Sequence, residues 1–483
     1  MKIIRYIIAA ICLAAGLSAT FRFDGIAGFL AGVSADREIS AFMMLRMRIV
    51  LISFFPVGLA LLFREQVFWF IEKINSYLVR YGPGTFLSRV LWLAVILRVG
   101  ALLIMPFHLW GDYGAYDELG WNLAQTGCYC VDGIATAYRP PGYPFVLAMI
   151  YTLIGHKPAW AAGYNIIFSI IIVASSYGLA RELFSERIAR WTALMLAVIP
   201  SQILFCNLLA SEIVFTALLV LAIMIAVRFH DKYSTGSFIV AGIILGGALL
   251  IRPIALPVLG LIFLHFVLNR GISKKLVMSF GAGILAFMIV VGPWMLRNYE
   301  VKGTATISTI SGINLLAGNS PGAGFGWNPG AVGNLPIGDP EKEVMVDQIG
   351  RKRAWEYIKA NPGSFVVRGI MKTAYLFAVD LEGVDYHLRE DAELKRFGSY
   401  SYSGVFMQVI YFLVLAAGIF GIYFSARKGF AKNSAVLWLT ILYWIAVHFV
   451  FYAEGRYRFP IMPMIVIYGS YFLAEYGSKY AKE

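Results

Sequence analysis

Runs of apolar residues, many of them 16–22 positions long and free of charge, alternate along this chain with short clusters of Lys and Arg. A helix needs roughly 17–25 predominantly apolar residues to cross the hydrocarbon core of a bilayer. The pattern therefore predicts an all-α, polytopic integral membrane protein of about 12 transmembrane helices. A β-barrel would instead alternate apolar and polar positions in segments of about ten residues. The expected spans cover 5–21, 49–63, 87–107, 159–180, 191–206, 213–227, 237–251, 254–268, 276–294, 403–424, 434–452 and 459–476. The run at 143–155 has only 13 residues. It is short for a span and is expected to form a juxtamembrane or re-entrant helix.

Flanking charge gives each span a direction, because cytoplasmic loops collect Lys and Arg. Lys2 and Arg5 place the start of the chain inside, and the mixed loop from Arg22 to Arg48 follows outside. Arg64, Glu65, Lys73 and Arg80 interrupt an apolar segment that reads as a cytoplasmic surface helix. Further inside marks are Arg181, Arg187 and Arg190, then Arg228, His230 and Lys232, then Arg270, Lys274 and Lys275, then ARKGFAKN, and finally Lys479 and Lys482. The stretch Gly111–Pro144, a short turn at Asn207–Glu212, the Arg252-Pro253 break, the polar region 299–402 and the segment 454–458 then all fall outside the cytoplasm. The first 20 residues could pass for a signal peptide, but an uncleaved first span keeps the alternation consistent. Four parts are expected. Residues 1–85 form an extra hairpin with its cytoplasmic surface helix, and 86–298 a membrane core with a first outer loop at 109–158. Residues 299–402 form an outer loop region, and 403–483 the last transmembrane helices. The loop region carries GNSPGAGFGWNPG, a Gly/Pro/Asn-rich turn sequence, and its apolar stretch 365–380 is expected to lie against the outer surface.

Composition agrees with this picture. Hydrophobic residues make up 59% of the chain and charged residues 14%, where soluble domains carry about 25% charged residues. The net charge of +13, from 41 basic and 28 acidic residues, is accounted for by cytoplasmic Lys and Arg, so it implies no nucleic-acid partner. Cys12, Cys128, Cys130 and Cys206 form no zinc or disulfide framework. Cys128 and Cys130 are too close in sequence for an easy disulfide and are expected to be free thiols.

The charge topology gathers ionisable residues at one membrane surface: Asp112, Asp117, Glu118, Arg139, Glu212, Arg252, Arg297, Glu454, Arg456 and Arg458. Ionisable groups at such a boundary mark cavities or pathways when they are buried, and are merely solvated or snorkelling when they are not. Asp112 precedes a short helix and Glu212 begins a long one, so capping-type and first-turn roles compete with functional ones. Arg252-Pro253 also reads as a kinked turn, and ArgTyrArg at 456–458 as an interfacial anchor. The sequence contains no HExxH, Walker loop or GxSxG, which leaves nucleotide-driven chemistry unsupported.

Several segments, in order, resemble the GT-C glycosyltransferases, polytopic enzymes that use polyprenyl-phosphate sugars. The closest likeness is to bacterial protein O-mannosyltransferases and lipid A aminoarabinose transferases. The segments are Asp112 with Tyr116 four residues on, TAYRPPGYPFVLA at 136–148, RELFSERIAR, SerGlu at 211–212, LLIRP at 249–253, PWMLRNY, GlyAsn at 318–319, and EGRYRFPIMP at 454–463. The resemblance covers roughly 86–476. Relatives often carry Asp-Glu at the start of the first outer loop, where this chain has Asp112-Tyr113. A metal site built on that second acid is therefore in doubt, and no cofactor is assigned beyond an open question of a divalent metal.

The resemblance implies transfer of a sugar from a polyprenyl-phosphate donor to an acceptor hydroxyl of a glycan, lipid or protein, at the outer face of a bacterial plasma membrane. It implies Asp112 as general base. Arginines would neutralise the departing phosphate, with Arg139, Arg456 and Arg458 foremost and Arg252 and Arg297 behind them. Tyr116 and Asn319 join the substrate-binding set. Retention of configuration would need a nucleophilic carboxylate, for which Glu212 is the candidate, and inversion is the expected course. Tyr116, Trp121, Tyr138 and Tyr143 are candidates to stack on sugar, and the loop 311–330 is a candidate lid. Two other classes fit parts of the pattern. A lipid-linked sugar flippase would carry midplane charges and inverted repeats, whereas a glycan polymerase or ligase would share the donor chemistry.

Overall fold

The computed structural model describes residues 2–21, 41–109, 111–228, 235–393 and 397–476. The charge markers Arg22, His230, Lys232, Lys479 and Lys482 lie outside these residues. The described residues form helices joined by turns and loops, with one small hairpin. Six helices are long and apolar enough to cross a membrane: Pro83–Ile104, Pro158–Leu183, Ser211–Arg228, Pro253–Arg270, Lys274–Lys302 and Ser401–Arg427. Counting each of two bent helix pairs as one span brings the total to eight. Shorter apolar helices occur at Tyr6–Ser18, Gly142–Ile154, Thr235–Ile251 and Ala435–Val450. Helix length and composition thus carry a multi-span fold with six to eight full-length spans among the described residues, without fixing the expected twelve.

Both bends have local causes. The Arg46–Leu62 and Glu65–Leu78 helices meet at 82°. The second helix exposes Val67, Trp69 and Phe70 while burying Ile71 and Leu78, the two-faced pattern of a helix lying along an interface. The run expected as one straight span at 191–206 breaks at Ile199, which is extended, before Pro200 opens a new helix at 61° to the first. A residue before proline is pushed out of the α region. The carbonyls left open by the break are filled by Arg98 of the Pro83–Ile104 helix. It donates from Nη2 to Leu196 O at 3.0 Å and from Nη1 to Ala197 O at 2.9 Å.

Close helix contacts are made at small residues. A Cβ on Gly242 would lie 2.2 Å from the Gly283 carbonyl oxygen, so the Thr235–Ile251 and Lys274–Lys302 helices meet backbone to backbone. The Lys274–Lys302 helix runs through Pro293 to residue 302, well past the expected end at 294. It thereby carries Arg297 and Asn298 into the polar part of the molecule. The helix Ala41–Leu62 packs on Phe397–Arg427, with Phe54 stacked on Phe412 at 4.9 Å and Ile49 in a cluster with Leu381, Val384 and Met407.

The segment Asn207–Glu212, expected as a short outer turn, is buried throughout. Asn165 Nδ2 holds its Leu208 carbonyl at 2.6 Å. The polar region folds into the helices Ser311–Gly318, Glu343–Ala360, Pro362–Ala378 and Glu382–Glu393. Pro362–Ala378 exposes Val366, Val367, Ile370 and Met371 and buries Gly369, Lys372 and Leu376, an amphipathic helix over the expected apolar stretch. Residues 130–135 form a hairpin, with Cys130–Val131 antiparallel to Ile134–Ala135. Its turn is Asp132-Gly133, both at positive φ (50° and 76°), as a two-residue turn of this kind requires. Cys128 and Cys130 are joined in a disulfide there, with Cα atoms 5.3 Å apart. This corrects the expectation of free thiols, since the bend before the hairpin brings the two residues within bridging reach.

Candidate functional site

Asp112 is the first residue of the helix Asp112–Thr126, entered through Gly111 at φ 53°. That position leaves the carboxylate facing out along the helix start, and two arginines from distant parts of the chain meet it. Arg139 donates from Nη2 to Asp112 Oδ1 at 2.9 Å, and Arg456 from Nη2 to Oδ2 at 2.8 Å. Arg456 also donates from Nε to Glu454 at 2.7 Å and approaches Glu212 at 3.9 Å. Glu212 in turn accepts from Arg252 Nη2 at 2.7 Å, and Arg252 Nε reaches Ser211 Oγ at 3.1 Å. Three guanidiniums and three carboxylates thus form one continuous network. Burial raises the Asp112 carboxyl, but Arg456 and Arg139 more than reverse this and hold it well below the usual carboxylate range. Burial lowers Arg139, and Asp112 overrides it upward. Glu454 is pushed up by burial, which its pairing with Arg456 does not fully offset.

Each arm of the network is fixed by the fold. Arg139 follows the hairpin, whose end is held by Glu343 of the Glu343–Ala360 helix. Glu343 accepts from Thr136 Oγ1 at 2.6 Å and from the Ala137 amide at 2.8 Å. Arg297 supports the same segment, donating to the carbonyls of Thr136 at 2.6 Å and Tyr129 at 3.2 Å. Tyr129 OH donates in turn to the Arg139 carbonyl at 3.1 Å. Arg456 sits in a 3₁₀ turn, Gly455–Ile461. A side chain at Gly455 would strike the Val379 carbonyl and the Glu382 carboxylate, so only glycine fits there.

Two cavities flank Asp112 and share it, together with Arg139, Ile310, Asn314 and Tyr452, as a common wall. The first, of 320 Å³, reaches among apolar helices and is lined by Ile254, Tyr443, Trp444, Val447 and Phe451. Its polar lining comes from Tyr116, Arg252, His448 and Tyr457. The second, of 570 Å³, lies in the polar part of the molecule and is lined by Glu118, Tyr138, Trp327, Tyr386, Glu454 and Arg456.

The fold therefore brings Asp112, Tyr116, Arg139, Arg252 and Arg456 to cavity walls, with Glu212 directly behind Arg252. Glu212 is 1% exposed and lines neither cavity. Three expected substrate-binding residues lie elsewhere. Arg458 donates to Asp380 at 2.5 Å and to the Leu376 carbonyl at 2.9 Å, and stacks on Tyr411. Arg297 holds the hairpin, and Asn319 donates to the carbonyls of Leu315 and Val450 at 2.9 and 2.7 Å. Among the aromatic candidates, Tyr138 lines the second cavity, whereas Tyr143 is buried. Trp121 stacks on His156 at 4.6 Å. Asp117 is turned away, bound by Tyr151 and His156. The expected lid at 311–330 is half helix, Ser311–Gly318, and contributes Ser311 and Asn314 to the first cavity and Trp327 to the second.

Sequence reasoning missed Tyr457, Tyr452, His448 and Asn314. Tyr457 had a signal, an aromatic residue set between two arginines, while His448 and Asn314 had none. Among the described residues no three His, Cys, Asp or Glu side chains gather as metal ligands. Tyr113, where a second acid would stand, is buried against Tyr386 at 4.8 Å. Asp112, Glu212 and Glu454, the carboxylates of the network, are each paired with a guanidinium, so the network does not fit a metal ion.

Among curated protein sequences, none matches the chain. Among solved structures, the oligosaccharyltransferase AglB of Archaeoglobus fulgidus, in complex with an inhibitory peptide and a dolichol-phosphate, aligns at TM-score 0.47 and 14% identity. The alignment covers 81% of this chain and 50% of that one, so the chain spans about half the length of the archaeal protein. ArnT from Cupriavidus metallidurans, bound to undecaprenyl phosphate, aligns at TM-score 0.41 and 14% identity, covering 81% and 77% of the two chains. Residues 138–296 match the model of the dolichyl-phosphate-mannose-protein mannosyltransferase family. That match begins one residue before Arg139 and takes in Glu212 and Arg252, and it bears out the resemblance to the GT-C glycosyltransferase superfamily drawn from the sequence motifs.

Proposed function

We propose that this protein transfers a sugar from a polyprenyl-phosphate-linked donor to an acceptor hydroxyl, with inversion, at the outer face of the membrane. The observation that carries the reading is Asp112, set between Arg139 and Arg456 on the wall common to two cavities. The donor class is supported by the family description over residues 138–296. The first cavity has the chemistry of a lipid-phosphate site. Apolar side chains suit the tail, and Arg139 and Arg252 stand ready for the phosphate, where planar guanidiniums pair well. The second cavity, with its polar lining, suits the acceptor.

In the reaction the acceptor oxygen attacks the anomeric carbon across the shared wall. The bond from that carbon to the phosphate oxygen breaks, and the polyprenyl phosphate leaves as an anion. The hydroxyl proton passes to Asp112. A carboxylate clamped by two guanidiniums is a weak base. An arriving phosphate draws Arg139 toward itself, which lets the Asp112 pKa rise toward the value a base needs. Glu212, buried and bound to Arg252, has no approach to the anomeric carbon, which favours direct displacement over a covalent intermediate.

The test is a transfer assay with polyprenyl-phosphate sugars. Arg139→Gln and Arg252→Gln should each raise the donor KM about 10- to 100-fold, the scale of a lost hydrogen bond to a charged group. Unchanged donor kinetics in both would place the phosphate elsewhere.

A further inference from the structure

The second cavity carries information about the acceptor that the reaction alone does not. Its wall holds three carboxylates, from Asp112, Glu118 and Glu454, against two guanidiniums, from Arg139 and Arg456. Both guanidiniums are committed: Arg139 to Asp112, or to the donor phosphate once the proposed donor is bound, and Arg456 to Asp112 and Glu454. Glu118 is exposed and has no ion-pair partner among the described residues. No lysine or histidine contributes to the lining. A phosphorylated acceptor would therefore meet an excess of one negative charge and no free cation to receive it, which works against the ligand at close range.

The rest of the wall is aromatic. Tyr138, Trp327, Tyr386 and Tyr452 surround the space, with Trp327 38% exposed and its ring 5.6 Å from that of Tyr452. Burial pushes Tyr138 and Tyr386 up to about 12, so both hydroxyls remain neutral donors. A pyranose ring has an apolar C–H face and a rim of hydroxyls. Flat aromatic faces cover the first, and carboxylates and phenols bond the second. A volume of 570 Å³ falls within the range of small-ligand sites, about 300–1,000 Å³.

We infer that the acceptor is an uncharged saccharide, bound in the cavity between Asp112 and Trp327 with a hydroxyl presented to Asp112. This rests on the proposed glycosyl transfer, in which the first cavity, with its apolar lining and Arg252, takes the donor and leaves the second to the acceptor. The chemistry is unchanged from that reaction: the saccharide oxygen forms the new glycosidic bond and its proton goes to Asp112.

The experiment uses the full chain in detergent and reads two ligands separately. Undecaprenyl phosphate binding is followed by intrinsic fluorescence. Acceptor binding is followed by saturation-transfer difference NMR with three probes. These are neutral oligosaccharides of hexoses, deoxyhexoses and N-acetylhexosamines, a bis-phosphorylated lipid A, and a Ser/Thr-rich peptide. The expected result is saturable binding of one or more neutral oligosaccharides, weakened at least tenfold by Trp327→Ala, with undecaprenyl phosphate binding retained in that variant as evidence of an intact fold. The inference is overturned if the lipid A or the peptide binds best, if no neutral oligosaccharide binds, or if Trp327→Ala leaves saccharide binding unchanged. Loss of undecaprenyl phosphate binding in the unaltered chain would instead defeat the donor reading, and so distinguishes the two failures.

Discussion

Asp112→Asn separates two roles proposed for one carboxylate. The substitution keeps the shape of the side chain and removes its charge. The oxygens of Asp112 lie 2.9 and 2.8 Å from the two guanidiniums. Unit charges about 4 Å apart at an effective dielectric near 20 attract by about 4 kcal/mol before hydration is counted. The Asp112 side chain is 34% exposed, and partly hydrated pairs of this kind net about 1 kcal/mol each. In the proposed reaction the donor phosphate competes with Asp112 for Arg139. Without the carboxylate charge, undecaprenyl phosphate should bind about fivefold tighter, the equivalent of that 1 kcal/mol. Transfer should nevertheless fall by about 10²–10⁴, the usual contribution of a general base, or about 3–5 kcal/mol in the barrier. Fluorescence titration measures the first quantity, and single-turnover release of polyprenyl phosphate the second. Near-normal turnover would remove Asp112 as the base. Donor binding weakened tenfold would refute the competition argument, because Asp112 would then be supporting the phosphate site.

Arg456→Gln should reveal the titration of Asp112. The folded carboxyl lies below its ordinary value, so the ionised form and the stability it contributes are complete above about pH 4 and lost as pH falls through the depressed value. In kcat/KM, which reports the free enzyme, unaltered protein should show no acidic limb from Asp112 at pH 5 and above. The variant has one guanidinium fewer opposing burial, so its limb should move up in pH, and an unmoved pH–rate profile counts against the clamp. Arg458→Met should leave donor KM unchanged but strip Asp380 of its buried partner at a cost of about 3–5 kcal/mol. The readout is the thermal inactivation midpoint, with recovery when Asp380→Asn is added, and a changed donor KM without instability would return Arg458 to the site. For orientation, Lys359→Cys should react with an impermeant thiol reagent applied from outside the cell and Arg181→Cys should not, and the reverse pattern would overturn the outward-facing site.

A multi-span helical fold was readable because apolar length is a one-dimensional property, but the count of twelve was not fixed, and the run expected straight at 191–206 bends at Pro200. The roles of the arginines were not readable, because they depend on which way each side chain turns. Arg456 and Arg458 are two residues apart in a 3₁₀ turn, where successive side chains rotate by about 120°. One therefore meets Asp112 while the other enters the core against Asp380. Arg252, ranked behind Arg458 by sequence, lines a cavity because Pro253 ends its helix there. Arg297 was displaced from the site by the unbroken passage of its helix through Pro293. The burial of 207–212 depends on Asn165, some 40 positions away. The Asp132-Gly133 turn, by contrast, carried a clear local signal for the hairpin that positions Arg139.

Glu343 has a practical bearing on any attempt to rebuild this molecule from parts. Residues 299–402 look like a cassette that could be exchanged for another to change specificity. Yet Glu343, from within that region, is the acceptor for Thr136 and Ala137 and pairs at 3.4 Å with Lys302 at the end of a membrane helix. A chimera that replaces the region without supplying a carboxylate at that place would release the segment leading into Arg139. Loss of activity in such a hybrid would then report a broken joint, and the transplanted surface would go untested.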